Sequence, residues 1–170
     1  MKAIRNKGIL MYQIEVKLNL IKKKFNPKDG WNVMVDIDAM EMGTGSLQKP
    51  EKREIAEKCW RELNELGVTI GSHPLYGRAD IVANHPTFGS HVIEVEGNSS
   101  KQLEQAMYSA IGQVVLSMHD SNIETEYGLA VPHQDSWFKQ LKKIPLDVCH
   151  KLSLSLYLVN EEEVVEFFKA

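Results

Sequence analysis

Residues 77–113 read GRADIVANHPTFGSHVIEVEGNSSKQLEQAMYSAIGQ. Two short apolar runs, 79–83 and 91–96, flank Asn84, His85, Pro86 and Gly89, the pattern of two strands joined by a turn. Acids interrupt both runs: Asp80 at the start of the first, Glu94 and Glu96 inside the second. Side chains alternate across a strand, so Val92, Glu94 and Glu96 share one face while Ile93 and Val95 share the other. Paired as a hairpin, the two runs bring Asp80 beside Glu94. Three clustered carboxylates repel one another and resist burial unless protons or cations neutralise them. Mg²⁺ or Mn²⁺, which takes a few carboxylate oxygens together with water and phosphate, suits such a cluster. A solvated strand face is the other reading of alternating acids.

The residues that follow are a turn, Gly97, Asn98, Ser99 and Ser100, in which either serine can cap a helix over residues 101–118. Leu103, Ala106, Met107, Ala110, Ile111, Val114, Val115 and Met118 cover much of that helix, so it is expected to be well buried. Gln113 falls on the stripe with Ala106 and Ala110, where an amide needs a partner.

Working outward, 170 residues fit one domain with a core of its own. A net charge of −3 does not advertise nucleic-acid binding. Positive charge is nonetheless gathered near the start, in Lys2, Arg5, Lys7, Lys17, Lys22, Lys23 and Lys24. Cys59 and Cys149 lack metal-ligand spacing and read as reduced, buried thiols. None of the six histidines has zinc-site spacing, which argues against a zinc enzyme. No apolar run reaches the length of a membrane span, and the apolar stretch after the basic start is too short for a signal peptide. An intracellular, cytoplasmic protein is expected.

Upstream, Tyr12, Ile14, Val16, Leu18 and Leu20 alternate with polar residues, as do Trp31, Val33, Val35 and Ile37. Both read as half-buried strands, giving an N-terminal β-hairpin over residues 1–49 with the basic turn KKKFNPKDG at its tip. That tip, with Lys22, Lys23 and Lys24, is a candidate phosphate contact or a plain soluble loop. Asp36 and Asp38 share a strand face and read as solvated. Pro50 opens a helix over residues 51–66 with Ile55, Cys59, Leu63 and Leu66 as its buried stripe. Strands are expected at 68–70, 125–131 and 153–159, a helix at 137–143, and a last strand at 164–168.

The order of these elements, with Asp80 before a strand, an acid pair on the next and Gln113 in the helix after it, resembles the PD-(D/E)xK, or restriction endonuclease-like, nuclease superfamily. The resemblance spans residues 51–159 and implies an α/β fold: a core of helix, three strands, helix and strand, its mixed sheet flanked by helices, here with the added N-terminal hairpin. It implies a Mg²⁺- or Mn²⁺-dependent nuclease acting on DNA. Asp80, Glu94 and the carbonyl of Val95 would hold a metal, and Gln113 would approach the centre. An acid from the helix 51–66 often joins in, and Glu62 lies nearest the stripe.

The chain departs from the family at one position: Glu96 stands where the family has lysine, an E-x-E variant. A glutamate there can act as a general base or engage a second metal. With three carboxylates to neutralise, two-metal hydrolysis is the preferred expectation. Lys101 is a candidate for the missing positive charge, or a solvated lysine. Arg78 and the basic hairpin are candidate phosphate contacts, which position a duplex without reading its sequence. A homodimer would supply one site for each strand. The competing expectation is a degenerate member that binds nucleic acid or a partner without turnover. Acids two apart on one strand are too close for a glycosidase pair.

Overall fold

The computed structural model describes residues 10–44, 49–98, 102–119 and 124–170. In chain order its principal elements are α1 (Gln13–Lys24), β1 (Asn32–Val35), α2 (Pro50–Glu65), β2 (Thr69–Ile70), β3 (Ile81–His85), β4 (Gly89–Val95), α3 (Leu103–Leu116), β5 (Thr125–Pro132), α4 (Asp135–Leu141), α5 (Leu146–Lys151), β6 (Leu154–Val159) and β7 (Val164–Phe168). The seven strands form one mixed sheet in the order β2-β1-β3-β4-β5-β6-β7. β1, β3 and β4 are antiparallel neighbours, while β4, β5 and β6 run parallel.

Alternation along the strands divides the core in two. Ile81, Ala83, Ile93 and Val95 pack with Ile14, Leu18, Ile21 and Phe25 of the α1 segment and with Ala56, Cys59 and Leu63 of α2. Val82, Val92, Leu129 and Val131 face the other way, against Ala106, Met107, Ala110 and Val114 of α3 and against Trp137, Leu141 and Cys149. Both faces of the central strands are therefore covered by helices, the α/β arrangement expected from the sequence.

Among the described residues the expected N-terminal β-hairpin is not formed: its first strand is instead α1. Its apolar residues satisfy two periods at once. Ile14, Val16, Leu18 and Leu20 alternate as in a strand, yet Met11, Ile14, Leu18, Ile21 and Phe25 recur at steps of three and four. All are buried, and a helix enclosed on most of its circumference loses the polar face that would have distinguished it from a strand. Local chemistry also favours the helix. Tyr12 N–H donates to the Glu15 carboxylate at 2.7 Å, and Lys22, Lys23 and Lys24 occupy the last turn, where cations complement the helix dipole. β1 pairs not with that segment but with β2 and β3.

Gly97 fixes where α1 docks. A Cβ on Gly97 would lie 2.3 Å from Gln13 N and 2.8 Å from Tyr12 C, so only glycine lets the chain leaving β4 touch the start of the helix. Asn98 completes the junction: its N–H donates to Met11 O (2.7 Å) and its Oδ1 accepts from Met11 N (2.9 Å).

Candidate functional site

Strand register builds the site. Ile81 pairs with Ile93 and Val35 with Ile81, so one step further along lie Asp36, Asp80 and Glu94 in a row across β1, β3 and β4. The strands end here, at the carboxyl ends of β1 and β4, and Glu96 lies just beyond the second. A cavity of about 310 Å³ opens at this edge, lined by Gln13, Asp36, Asp38, Glu41, Arg78, Asp80, Glu94, Glu96, Ser109 and Gln113.

The centre of the cluster is a cation the sequence reading did not place there. Lys17 reaches in from α1, wholly buried. Its Nζ lies 2.7 Å from Asp80 Oδ1 and 2.7 Å from Glu41 Oε1. It also donates to Glu41 Oε2 (2.8 Å) and to the Asp36 carbonyl (2.6 Å). Burial pulls the Lys17 pKa down, but the charges of Asp80 and Glu41 outweigh it and the net shift is upward. The ammonium therefore stays charged. Asp80 is held from three sides: beside Lys17, it accepts from Val95 N–H at 2.8 Å and from Gln13 Nε2 at 3.1 and 3.3 Å. Glu41 and Asp38 clasp each other's backbone, Glu41 N–H to Asp38 Oδ1 (2.8 Å) and Asp38 N–H to Glu41 Oε2 (3.2 Å).

One lysine does not neutralise this many acids, and the strand glutamates carry the excess as protons. Burial, then the Asp80 charge and a hydrogen bond with Asp80, pushes Glu94 up to about 9. Burial and the same Asp80 charge push Glu96 up to about 7. Glu41 is also raised, by burial, with Lys17 opposing. Near neutral pH, then, Glu94 holds its proton and Glu96 is poised to gain or lose one.

Of the residues expected from sequence, Asp80, Glu94, Glu96, Gln113 and Arg78 line one cavity. Arg78 sits at its mouth, Nε on Asp36 Oδ2 (3.1 Å) and Nη2 near Asp38 Oδ2 (3.6 Å). The expected solvated face of Asp36 and Asp38 is thus part of the pocket wall. Gln113 is exposed toward the cavity with Ser109 rather than enclosed in the apolar stripe of α3. Glu62 is absent from the cavity lining and pairs with Lys22 instead. Lys22, Lys23 and Lys24 are not a hairpin tip but the far end of α1, and Lys24 pairs with Glu166 at 3.4 Å; the structure does not bring these lysines to the cavity. Lys101 lies outside the described residues.

Four contributors were missed: Gln13, Lys17, Glu41 and Ser109. Gln13 and Lys17 are four apart and share a helix face, a relation hidden by the strand reading. Glu41 had a local signal in Asp38-Ala39-Met40-Glu41, the spacing of a reciprocal cap between an acid and a glutamate three residues on.

The oxygen-rich donor set has the chemistry that a hard divalent cation takes. Among the described residues, however, no three acid, imidazole or thiol side chains are gathered at metal-holding geometry; the Lys17 ammonium and the N–H groups of Gln13 and Val95 occupy Asp80. Among the described residues, too, no helix is long and apolar enough to cross a membrane. Comparison of the chain with protein-family models, with curated proteins and with solved structures gives no match.

Proposed function

We propose that this protein is a divalent-metal-dependent nuclease that hydrolyses DNA phosphodiester bonds, built on a PD-(D/E)xK-like core with an E-x-E strand. The observation that carries the reading is the meeting of Asp80, Glu94 and Glu96 on one cavity at the end of adjacent strands, with the buried Lys17 paired to Asp80 behind it. The topology supports it as well. Helix, three strands, helix and strand are present as α1, β1, β3, β4, α3 and β5, with the strands adjacent in the sheet; α2 and β2 are then an insertion, not the first helix and strand of the core.

Asp80, Glu94, Glu96 and the Val95 carbonyl are the groups that would hold Mg²⁺ or Mn²⁺, which when bound would offset charge building on the phosphate. The remaining work falls to the chain's own residues. Lys17 supplies the positive charge that Glu96 does not, from a helix instead of the strand. Its Nζ pairs with Asp80 at 2.7 Å and adds to the field felt by an anionic substrate. Glu96, with its pKa near neutral, is suited to accept the proton of an attacking water. Arg78 at the rim is placed to exchange Asp36 and Asp38 for a phosphate, and Ser109 and Gln113 present polar groups from the opposite wall.

One observation favours a second reading, a binding domain without turnover. Asp80 is already satisfied by Lys17, Gln13 and Val95, so the pocket is stable as it stands. Plasmid nicking in Mg²⁺ and in Mn²⁺ separates the two. The nuclease reading expects relaxed circles from the wild type and none from Asp80→Asn or Glu94→Gln at equal folding. DNA binding without nicking in either metal would support the second.

A further inference from the structure

Helix α3 has an exposed side unlike that of α2. The outer side of α2 is mostly charged, with Glu51, Arg53, Glu54, Glu57, Lys58, Arg61 and Glu65 around a single exposed aromatic, Trp60. From Gln105 to Met118 the α3 segment has no Asp, Glu, Lys or Arg at all, although half of the helix faces outward. Leu116 is 84% exposed, Tyr108 57% and Val115 46%. Between them lies Gly112, on whose outer side a Cβ would meet nothing within 4 Å.

We propose that this face is the contact between two copies of the chain, packed as antiparallel α3 helices about a two-fold axis at Gly112. The sequence is self-complementary about that point. Counting four residues either way from Gly112 sets Tyr108 of one copy against Leu116 of the partner subunit. Ser109 meets Val115 in the same way, and the polar pair Gln105 and His119 closes each end. A two-fold contact requires this kind of match, each residue meeting a residue of the same patch. The missing side chain at Gly112 lets the helices approach closely at the axis. Charge is confined to the border, where Glu104 accepts from Tyr108 Oη (2.9 Å) and from Lys143 Nζ (3.0 Å). An apolar centre with a charged rim is the anatomy of a protein interface rather than of a solvated helix.

Size sets the strength. Fourteen residues of helix are about 21 Å long. Two such helices crossing bury less than the roughly 1,200 Å² of a standard interface. The dimer is therefore expected to be weak and reversible, in the class of transient contacts. Ser109 and Gln113 stand on the same helix and line the acid cavity, so the contact sets the two cavities on either side of one axis. The proposal does not depend on the nuclease reading, because association is measured without DNA or metal.

Sedimentation equilibrium from about 1 to 500 µM tests it. The wild type should pass from monomer to dimer, and Leu116→Glu, an exposed change that leaves the core intact, should weaken association at least tenfold. Gly112→Cys reads the register. Facing residues at the axis meet the Cα separation a disulfide needs, about 4.4–6.8 Å. Mild oxidation should then cross-link Gly112→Cys in solution, while Glu54→Cys on α2 stays monomeric; the native Cys59 and Cys149 are buried. A wild type that remains monomeric over the whole range overturns the proposal and leaves the face to a different protein. So does a dimer indifferent to Leu116→Glu, or one in which Gly112→Cys does not cross-link.

Discussion

Replacing Lys17 with methionine removes one charge from the centre of the cluster and leaves a side chain of similar length. In the wild type the ammonium lies 2.6–2.8 Å from four oxygens, those of Asp36 O, Glu41 Oε1 and Oε2, and Asp80 Oδ1. Deleting one partner of a buried ion pair costs about 3–5 kcal/mol, because the other charge is left uncompensated. Against a total of about 5–15 kcal/mol for a typical domain, Lys17→Met should be severely destabilised but measurable by urea unfolding, followed through tryptophan fluorescence. The loss must also depend on pH. Lys17 titrates above its ordinary 10.5 in the fold, so its own contribution is constant over the acid and neutral range. In the variant the abandoned carboxylates hold protons in the folded state that the unfolded chain has released. Folding then binds protons, and stability falls as pH rises. The gap between wild type and variant should widen from about pH 5 to about pH 8. Lys17→Met/Glu41→Met should recover a coupling energy of about 1–3 kcal/mol. A loss below about 1 kcal/mol, or one that is the same at both pH values, would refute the claim that Lys17 neutralises the buried acids.

The same sign governs Glu94 and Glu96. Both are raised from 4.5, to about 9 and about 7, so in the presence of chelator stability should decline as pH rises from about 5 through 9. Glu96→Gln should flatten the portion below about pH 7, worth at most about 3 kcal/mol, as read from urea midpoints across pH. Gly97→Ala forces a methyl against Gln13 and Tyr12 backbone and should lower stability by about 1–3 kcal/mol; because it shifts α1, it should also reduce nicking in the fraction that remains folded. Arg78→Ala, at an exposed ion pair, should change stability by less than about 1 kcal/mol. On the phosphate-contact reading it should also lower the salt dependence of DNA binding by about one ion.

The central hairpin was legible because two independent signals agreed: alternation on both runs and turn residues between them. That alone put Asp80 opposite Glu94, where the observed register carries them. The strands β5 and β6 and the helices α2 and α3 were legible by period, and α2 also by Pro50 and Gly67 at its ends; the expected caps of α3, Ser99 and Ser100, lie outside the described residues. α1 was not legible. A helix buried on most sides is apolar on most sides, and its residues at even numbers imitate a strand. That one misreading hid Gln13 and Lys17, because their common face exists only in a helix. It also misplaced Lys22, Lys23 and Lys24, which a hairpin would have put at a tip. The inward turn of Asp36 and Asp38 followed from β1 lying beside β3, a pairing between segments more than forty residues apart that period alone does not encode. Gln113 was assigned to a buried stripe by its spacing from Ala106 and Ala110. The helix is in fact covered on one side only, and the amide faces the cavity.

On the nuclease reading the acid cluster takes a divalent cation in exchange for protons. Mn²⁺ titration by calorimetry at about pH 6.5, repeated in buffers of different ionisation enthalpy, measures both at once. Binding should be accompanied by release of about one to two protons per site, drawn from Glu94 and Glu96, with binding lost in Asp80→Asn and proton release diminished in Glu94→Gln. Absence of binding heat in every buffer, or binding that survives Asp80→Asn unchanged, would contradict it.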